Sequence, residues 1–199
     1  MKVNKSVLNG TKVITGLVRF SYAYVFEPKG DGEDKKYSVS LIIPKEDKLT
    51  IKNIKEAIKN AYEIGKETKF KGKTIKDIFS ILHDGDEERP EEPAYENSYY
   101  INASARTKPG IVDKYKRPIE DTTEFYSGCY GYASINLYPY NTNGNKGIAC
   151  GLNNLMKFED GESLGGRASA QDDFKGFGEE IDDFDDDDLE DDLEDDDDL

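Results

Sequence analysis

Residues 129–140 read Cys-Tyr-Gly-Tyr-Ala-Ser-Ile-Asn-Leu-Tyr-Pro-Tyr, and this stretch decides the fold. Small or aliphatic residues alternate along it with tyrosines and polar residues, which is the period of a β-strand with two unlike faces. An Asn-Gly loop follows at 141–147, and residues 148–155 return as a partner strand. The pair predicts an antiparallel β protein.

Three further segments have the composition of strands. Residues 13–26 are β-branched and aromatic, residues 37–43 alternate apolar with small polar residues, and strand character resumes at Ser98. A charged loop at 27–36 joins the first two strands. About five main strands with one helical insertion predict a mainly β fold, a five-stranded, partly open Greek-key barrel of the OB type, with a β-sandwich as the alternative.

The insertion covers about residues 46–97, between the second and third strands. Apolar residues at helical spacing predict a helix at 50–66, whose lysines form a solvated face, and a short helix at 75–82 with Thr74 as its N-cap. The acidic stretch 84–93 is predicted to be a solvated polar loop.

Charge divides the chain into two parts. Residues 1–170 carry 26 basic and 24 acidic side chains, whereas residues 171–199 carry 1 basic and 18 acidic side chains. This distribution predicts a nearly neutral folded domain at 1–160, a linker rich in small residues at 161–170 and a disordered acidic tail at 171–199.

Several function classes lack their sequence signatures. The chain has no phosphate-binding glycine loop, no nucleophile elbow and no zinc-protease motif, and its only histidine is His83. We therefore predict no catalysis, no cofactor and no metal site. No apolar run suggests a signal peptide or membrane span, so we expect a soluble cytosolic protein whose Cys129 and Cys150 are buried thiols.

Tyrosines provide the strongest functional signal. Aromatic rings on a strand face, with cations nearby, can stack the bases of a single strand and neutralise its phosphates. The candidate DNA-binding residues are the cations Arg19, Lys36, Arg106, Lys108, Lys116, Arg117 and Lys146 and the tyrosines Tyr100, Tyr115, Tyr130, Tyr132, Tyr138 and Tyr140. Tyrosine is also an ordinary strand residue, so the alternative is a packed face covered by the insertion or by the second subunit of a homodimer.

Several motifs resemble one known family. These are Asp-Gly-Asp-Glu-Glu-Arg-Pro at 84–90, Thr-Lys-Pro-Gly-Ile-Val at 107–112, Tyr-Ser-Gly-Cys-Tyr-Gly-Tyr at 126–132, the run at 141–154 and Gly-Gly-Arg at 165–167. Over about residues 8–174 the chain resembles the bacteriophage single-stranded-DNA-binding proteins with an OB fold. The resemblance implies non-specific single-strand binding in phage DNA replication or recombination, in the cytoplasm of the infected host.

The tail offers a second mechanism. A tethered polyanion can occupy a cationic groove in place of DNA, and its spaced apolar residues can recruit a polymerase, helicase-primase or recombinase. The first hypothesis is therefore a single-strand binder with steep salt dependence, in which changing Tyr130 or Tyr132 to Ala weakens binding. The alternative is an acidic interaction protein or DNA mimic that does not itself bind DNA.

Overall fold

The computed structural model describes residues 5–74 and 81–165. Within those ranges the strands are β1 (Val7–Asn9), β2 (Lys12–Ile14), β3 (Val18–Lys29), β4 (Lys36–Pro44), β5 (His83–Asp84), β6 (Ser98–Ala105), β7 (Gly110–Val112), β8 (Tyr130–Thr142) and β9 (Asn145–Glu159). The helices are α1 (Lys48–Gly65), which a π-helical turn at Lys66–Phe70 follows, and the single turn α2 (Gly85–Glu88). Most of the helix predicted at 75–82, half of the predicted linker and the whole predicted tail lie outside the described residues.

Five strands close into a barrel. Around the ring, β3 pairs with β4, β4 with β6, β6 with β9, β9 with β8, and β8 with β3. Every pairing is antiparallel except that of β6 with β9, which is parallel and rests on the single pair Ser104 and Gly151. This order is a Greek-key barrel of the OB type, so the predicted fold is confirmed and the sandwich alternative is wrong.

The barrel interior follows the predicted alternation. On β8 the side facing the core carries Gly131, Ala133, Ile135 and Leu137, which are all buried, while the intervening residues are partly exposed. Cys129 and Cys150 are free thiols in this core, as predicted. Burial raises the pKa of the Cys129 thiol to about 11.

Helix α1 closes one end of the barrel. Asp47 caps the helix, because its Oδ1 accepts a hydrogen bond from the Thr50 amide at 3.0 Å. Ile51, Ile54 and Ala57 recur on the buried face and join the barrel core. The helix predicted at 50–66 is therefore confirmed to within two residues at each end. Across the described residues, no helix combines the length and apolar character needed to span a membrane.

One predicted strand differs from the structure. The single strand predicted at 13–26 is two strands, because the Thr15 hydroxyl accepts the Ala133 amide at 3.0 Å and the Gly16 amide donates to Thr50 Oγ1 at 2.7 Å, which turns the chain toward α1. The short strand β7 pairs in parallel with β9. The remaining main strands occupy their predicted positions.

Candidate nucleic-acid interface

A row of mostly small side chains crosses the outer surface of the barrel, and we call the surface over this row the groove. Tyr24 on β3 pairs with Ser38 on β4, Ser38 pairs with Ser104 on β6, and Ser104 pairs with Gly151 on β9. With neighbouring strands about 4.8 Å apart, this row spans roughly 14 Å. Asn102 extends the floor along β6 and is exposed. The floor is therefore polar and open to solvent.

Two tyrosines of β8 lie over glycines of β9 at one side of the groove. A β-carbon added at Gly151 would lie 3.3 Å from Cε1 of Tyr138, and one at Gly147 would lie 2.8 Å from the Tyr140 hydroxyl. These glycines let the rings lie flat against the sheet. Tyr138 remains 45% exposed, so its outer ring face is available. Both residues were predicted as DNA-binding positions.

The β8–β9 hairpin that carries these rings ends in a tight turn. Asn143 and Gly144 both have positive φ, at 51° and 88°, as the predicted Asn-Gly hairpin requires. The predicted cation Lys146 lies on this hairpin opposite Asn141. OB barrels bind oligonucleotides on the face of their second and third strands, between the loop that joins strands 1 and 2 and the loop that joins strands 4 and 5. The β8–β9 hairpin is the second of these loops, so it lies where a groove wall is expected.

Cations gather where β3 ends and β4 begins. The predicted residues Lys36, Arg106 and Lys108 are exposed there, Lys36 at the start of β4 and the other two just after β6. The Lys108 ammonium lies 5.6 Å from the ring centroid of Phe26. Lys29, which the sequence did not single out, donates to the Tyr24 hydroxyl at 3.0 Å. This end of the groove can neutralise phosphates.

The opposite end of the face is closed by a cluster around Arg89. Its guanidinium lies 5.1, 4.7 and 4.9 Å from the ring centroids of Tyr22, Tyr95 and Tyr100, and it forms an ion pair with Glu92 at 2.6 Å. Burial alone would lower the pKa of Arg89, but the tyrosine hydroxyls and Glu92 outweigh it, so that pKa rises above its usual value.

Tyr100 corrects one of the predicted contacts. It was assigned to the exposed polar face of β6, yet it is only 5% exposed. The Tyr100 ring stacks on the ring of His83 at a centroid distance of 4.8 Å and meets the ring of Tyr95 edge-on at a centroid distance of 5.1 Å. A ring enclosed in this way has no face for a base, so Tyr100 supports the wall of the groove from below.

The acidic stretch at 84–93 contains a helical turn where a loop was predicted, although Asp86, Glu87, Glu88 and Glu91 are exposed as expected. The Lys45 ammonium binds Asp84 and Asp86 at 2.7 Å each. Asp86 also accepts the Asn97 amide at 2.7 Å. A methyl group at Gly85 would overlap the Tyr95 carbonyl oxygen, so only glycine fits this turn. These contacts hold the residues that carry Arg89 against the barrel.

Residues 160–165 cover two more of the predicted contacts. Arg19 donates from Nε to the Gly128 carbonyl at 3.1 Å and from Nη2 to the Glu162 carbonyl at 2.8 Å. The Tyr130 ring lies next to Gly161, and the Arg19 guanidinium is 5.4 Å from the ring centroid. Arg19 and Tyr130 therefore contact this segment, and Tyr130 lies at the end of β8 opposite to Tyr138 and Tyr140.

The predicted residues Tyr115, Lys116 and Arg117 form a separate projection, the knuckle at 113–117. Asp113 Oδ1 accepts the amides of Tyr115 and Arg117 at 2.8 and 2.9 Å, which fixes the loop. Tyr115 is 67% exposed, with the Arg117 guanidinium 5.1 Å from its ring centroid. Because β7 pairs with β9 at Met156, the knuckle lies about 17 Å along β9 from Gly151.

Tyr132 belongs to the same region as the knuckle. It pairs with Met156, and its ring packs edge-on against Phe158 at 5.8 Å. The four tyrosines predicted on one face of β8 thus divide into two pairs. Tyr138 and Tyr140 face the groove, whereas Tyr130 and Tyr132 lie near the other end of the strand.

Sequence reasoning missed Tyr22, Tyr24, Lys29 and Arg89. The two tyrosines lie within the apolar run 13–26 and looked like ordinary strand residues. Arg89 lies in the Asp-Gly-Asp-Glu-Glu-Arg-Pro motif, whose presence in the family resemblance was the one signal that could have drawn attention to it. In the part of the chain that the structure describes, no three His, Cys, Asp or Glu side chains form a metal-binding group.

An OB barrel with an open polar face, exposed aromatic rings and a cationic rim is typical of the oligonucleotide-binding class of proteins. Comparison with known proteins is more specific. The model of the family "Enterobacter phage Enc34, ssDNA-binding protein" matches residues 11–192, and the chain belongs to that family. The predicted family is therefore confirmed.

Relatives agree with this assignment. The chain is 32% identical over 176 residues to protein p50 of Acyrthosiphon pisum secondary endosymbiont phage 1, covering 81% of this chain and 91% of that protein. It is similar to the solved single-stranded DNA-binding protein of bacteriophage Enc34 in complex with ssDNA, with TM-score 0.71, 27% identity and coverage of 83% and 96%. The gp2.5 protein of bacteriophage T7 shares the fold, with TM-score 0.55, 17% identity and coverage of 88% and 97%.

Proposed function

We propose that this protein binds single-stranded DNA without sequence specificity in the groove over β4, β6 and β9. The observation that carries the proposal is the floor of Ser38, Ser104 and Gly151 between Tyr24 and Tyr138. Small floor residues let a strand approach closely, while the exposed ring of Tyr138 accepts any base. Membership of a family named for ssDNA binding supports the same assignment.

Phosphates of the bound strand pair with Lys36, Arg106 and Lys108 at the groove end, and with Lys146 on the β8–β9 hairpin. These side chains reach the DNA without reading its bases, so they supply affinity and not specificity. Tyr132 and the knuckle at 113–117 are outlying contacts, reached only by a strand long enough to extend along β9.

The salt dependence of binding tests the assignment of these cations. A labelled oligo-dT is titrated by fluorescence anisotropy over a series of salt concentrations. We expect Lys36→Gln and Arg106→Gln each to reduce the slope of log affinity against log salt by about 0.7, the contribution of one phosphate on a single strand. Lys52→Gln and Lys59→Gln, on the exposed face of α1, are matched controls and should leave the slope unchanged.

Two outcomes would contradict the proposal at different levels. If the wild-type chain fails to bind oligo-dT at low salt, single-strand binding itself is wrong. If it binds with a slope that neither groove variant changes, the DNA follows another surface. In the second case the controls on α1 show whether removing any surface charge has a comparable effect.

The biological setting belongs to the same proposal. We infer that the protein coats single strands during phage DNA replication or recombination in the cytoplasm of the infected host. The domain at 1–160 binds DNA, and the tail at 171–199 competes for the groove and recruits a replication protein. The excess of 17 negative charges in the tail and its spaced apolar residues support this division of labour.

A further inference from the structure

Tyr22 has a backbone conformation that is rare for a large side chain. Its φ is +47°, in the left-handed region that aromatic residues seldom adopt. The cause is a bulge in β3, because Ser21 pairs with Ser40 whereas Tyr24 pairs with Ser38, which leaves one extra residue between them. The bulge directs Tyr22 outward, and its side chain is 46% exposed.

Arg89 holds the inner face of this ring. The guanidinium lies 5.1 Å from the Tyr22 ring centroid, and the Tyr22 hydroxyl approaches the Glu92 carboxylate at 3.4 Å. Arg89 is itself fixed by Glu92 and by the rings of Tyr95 and Tyr100. An exposed tyrosine is thus presented with one face packed on a cation and the other turned to solvent.

Tyr22 is next to the proposed DNA groove. It lines a cleft of about 730 Å³ that Tyr24 also lines, and Tyr24 belongs to the row that forms the groove floor. The charged residues of this cleft are Arg19, Glu91, Glu92 and Glu162. Arg89 beneath Tyr22 offsets Glu92, so two cations face three carboxylates, and the remaining negative charge disfavours a phosphate chain but not an uncharged base.

We propose that Tyr22 is a base-stacking residue that binds one nucleobase at the mouth of this cleft, and that Arg89 is its positioning residue. The proposal rests on the function proposed above and extends the groove beyond Tyr24. The strained bulge is retained because it turns the ring toward a base. The phosphates of that nucleotide stay outside the cleft.

Three substitutions of Tyr22 distinguish a loss of base stacking from a loss of fold stability. Tyr22→Ala should weaken binding of oligo-dT about tenfold, while Tyr22→Phe keeps the ring and should bind as the wild type does. Tyr22→Gly should bind as weakly as Tyr22→Ala but melt at a higher temperature, because glycine adopts positive φ without strain. Equal binding by Tyr22→Ala and the wild type would overturn the proposal.

An abasic scan locates the partner base. The probe is a set of oligo-dT strands of the minimal length that the wild-type protein binds, each with one abasic sugar at a different position. At one position the abasic sugar should reduce the affinity of the wild type about tenfold. The same sugar should leave the affinity of Tyr22→Ala almost unchanged, because that variant already lacks the ring on which the base stacks. If every abasic position affects both proteins equally, Tyr22 stacks on no base.

Arg89→Lys tests the positioning role. Lysine keeps the charge but cannot stack its ammonium on three rings as a planar guanidinium does. The variant should reduce the abasic effect at the Tyr22 position and leave the effects at other positions unchanged. A lower melting temperature with an unaltered abasic profile would show that Arg89 is only structural. Failure of the wild type to bind any strand would instead remove the proposed function on which this inference rests.

Discussion

Tyr138 packs against Gly151 of the neighbouring strand. A β-carbon added at this glycine would lie 3.3 Å from Cε1 of the ring, so the ring would have to shift by a few tenths of an ångström. The same pairing of a tyrosine with a glycine recurs at Tyr140 and Gly147. At the scale of single residues, the proposed binding surface therefore depends on glycines, which have no side chain, as much as on the tyrosine rings.

Replacing Tyr138 with alanine should weaken binding of oligo-dT with little effect on stability. The expected loss is about 1–3 kcal/mol of binding free energy, the usual contribution of one stacked base. The thermal midpoint should change little because the ring is 45% exposed. Anisotropy and thermal melts measure the two effects. Ile64→Ala, at an exposed position on α1, is the control, and equal affinities of the two variants would contradict the stacking role.

Among the elements, the strands were predictable and the bulge was not. Alternation along 129–140 fixes which side chains enter the core, so β8 and its partner β9 followed from the sequence. The residues from Ser21 to Tyr24 have the composition of an ordinary strand, and nothing in their sequence reveals the bulge between them. The Tyr22 ring packs on Arg89, 67 positions further along the chain, and no local pattern contains that contact.

The insertion was hard to predict for a similar reason. Its acidic residues at 84 and 86 looked solvated because their partner, Lys45, is 39 residues or more away in the sequence. Burial of Tyr100 follows from the same contacts, since the insertion covers that end of β6. A candidate list made from strand faces alone therefore included a tyrosine that another element covers.

The attachment of the insertion should depend on pH. Hydrogen bonds from the Lys45 ammonium and then from the Asn97 amide lower the pKa of Asp86 below its ordinary value of 3.8. Because the folded pKa is the lower one, Asp86 contributes stability above about pH 4 and loses it as the pH falls through the folded pKa. The chemical shift of the Asn97 amide, followed by NMR from pH 6 to pH 2, should report that titration.

Lys45→Met should move the NMR midpoint upward toward the ordinary carboxyl value, since it removes the largest cause of the shift. Lys52→Met, on the exposed face of α1, should leave it unchanged. An unchanged midpoint in Lys45→Met would mean that the ion pair does not hold the insertion.

The knuckle should matter only for longer strands. The knuckle follows Val112, which pairs with Met156 about 17 Å along β9 from Gly151, so it lies outside the groove floor. Tyr115→Ala is therefore expected to weaken binding of a long oligo-dT several-fold and to leave binding of a minimal one unchanged. Affinities for the two lengths, measured side by side, decide the matter. Equal losses at both lengths would place the knuckle inside the primary site.

At the scale of the whole molecule, charge is divided between a nearly neutral body and a strongly acidic tail. A chain ending at Ala170 loses 18 acidic residues and one basic residue. We expect it to bind oligo-dT about tenfold more tightly at low salt and to converge with the full chain at high salt, where competition is screened. A full-length chain with residues 171–199 in scrambled order should behave as the wild type, and a truncated chain of unchanged affinity would exclude competition by the tail.

The parallel pair of Ser104 and Gly151 has a consequence for how the barrel responds to its ligand. It is the narrowest seam in the closed ring, and it lies in the floor of the groove. A strand of DNA bound between Tyr24 and Tyr138, as proposed, would span that seam, so that separating β6 from β9 would also require releasing the DNA. Occupancy should therefore slow amide exchange most along this seam, and the protein and the strand that it protects would stabilise one another.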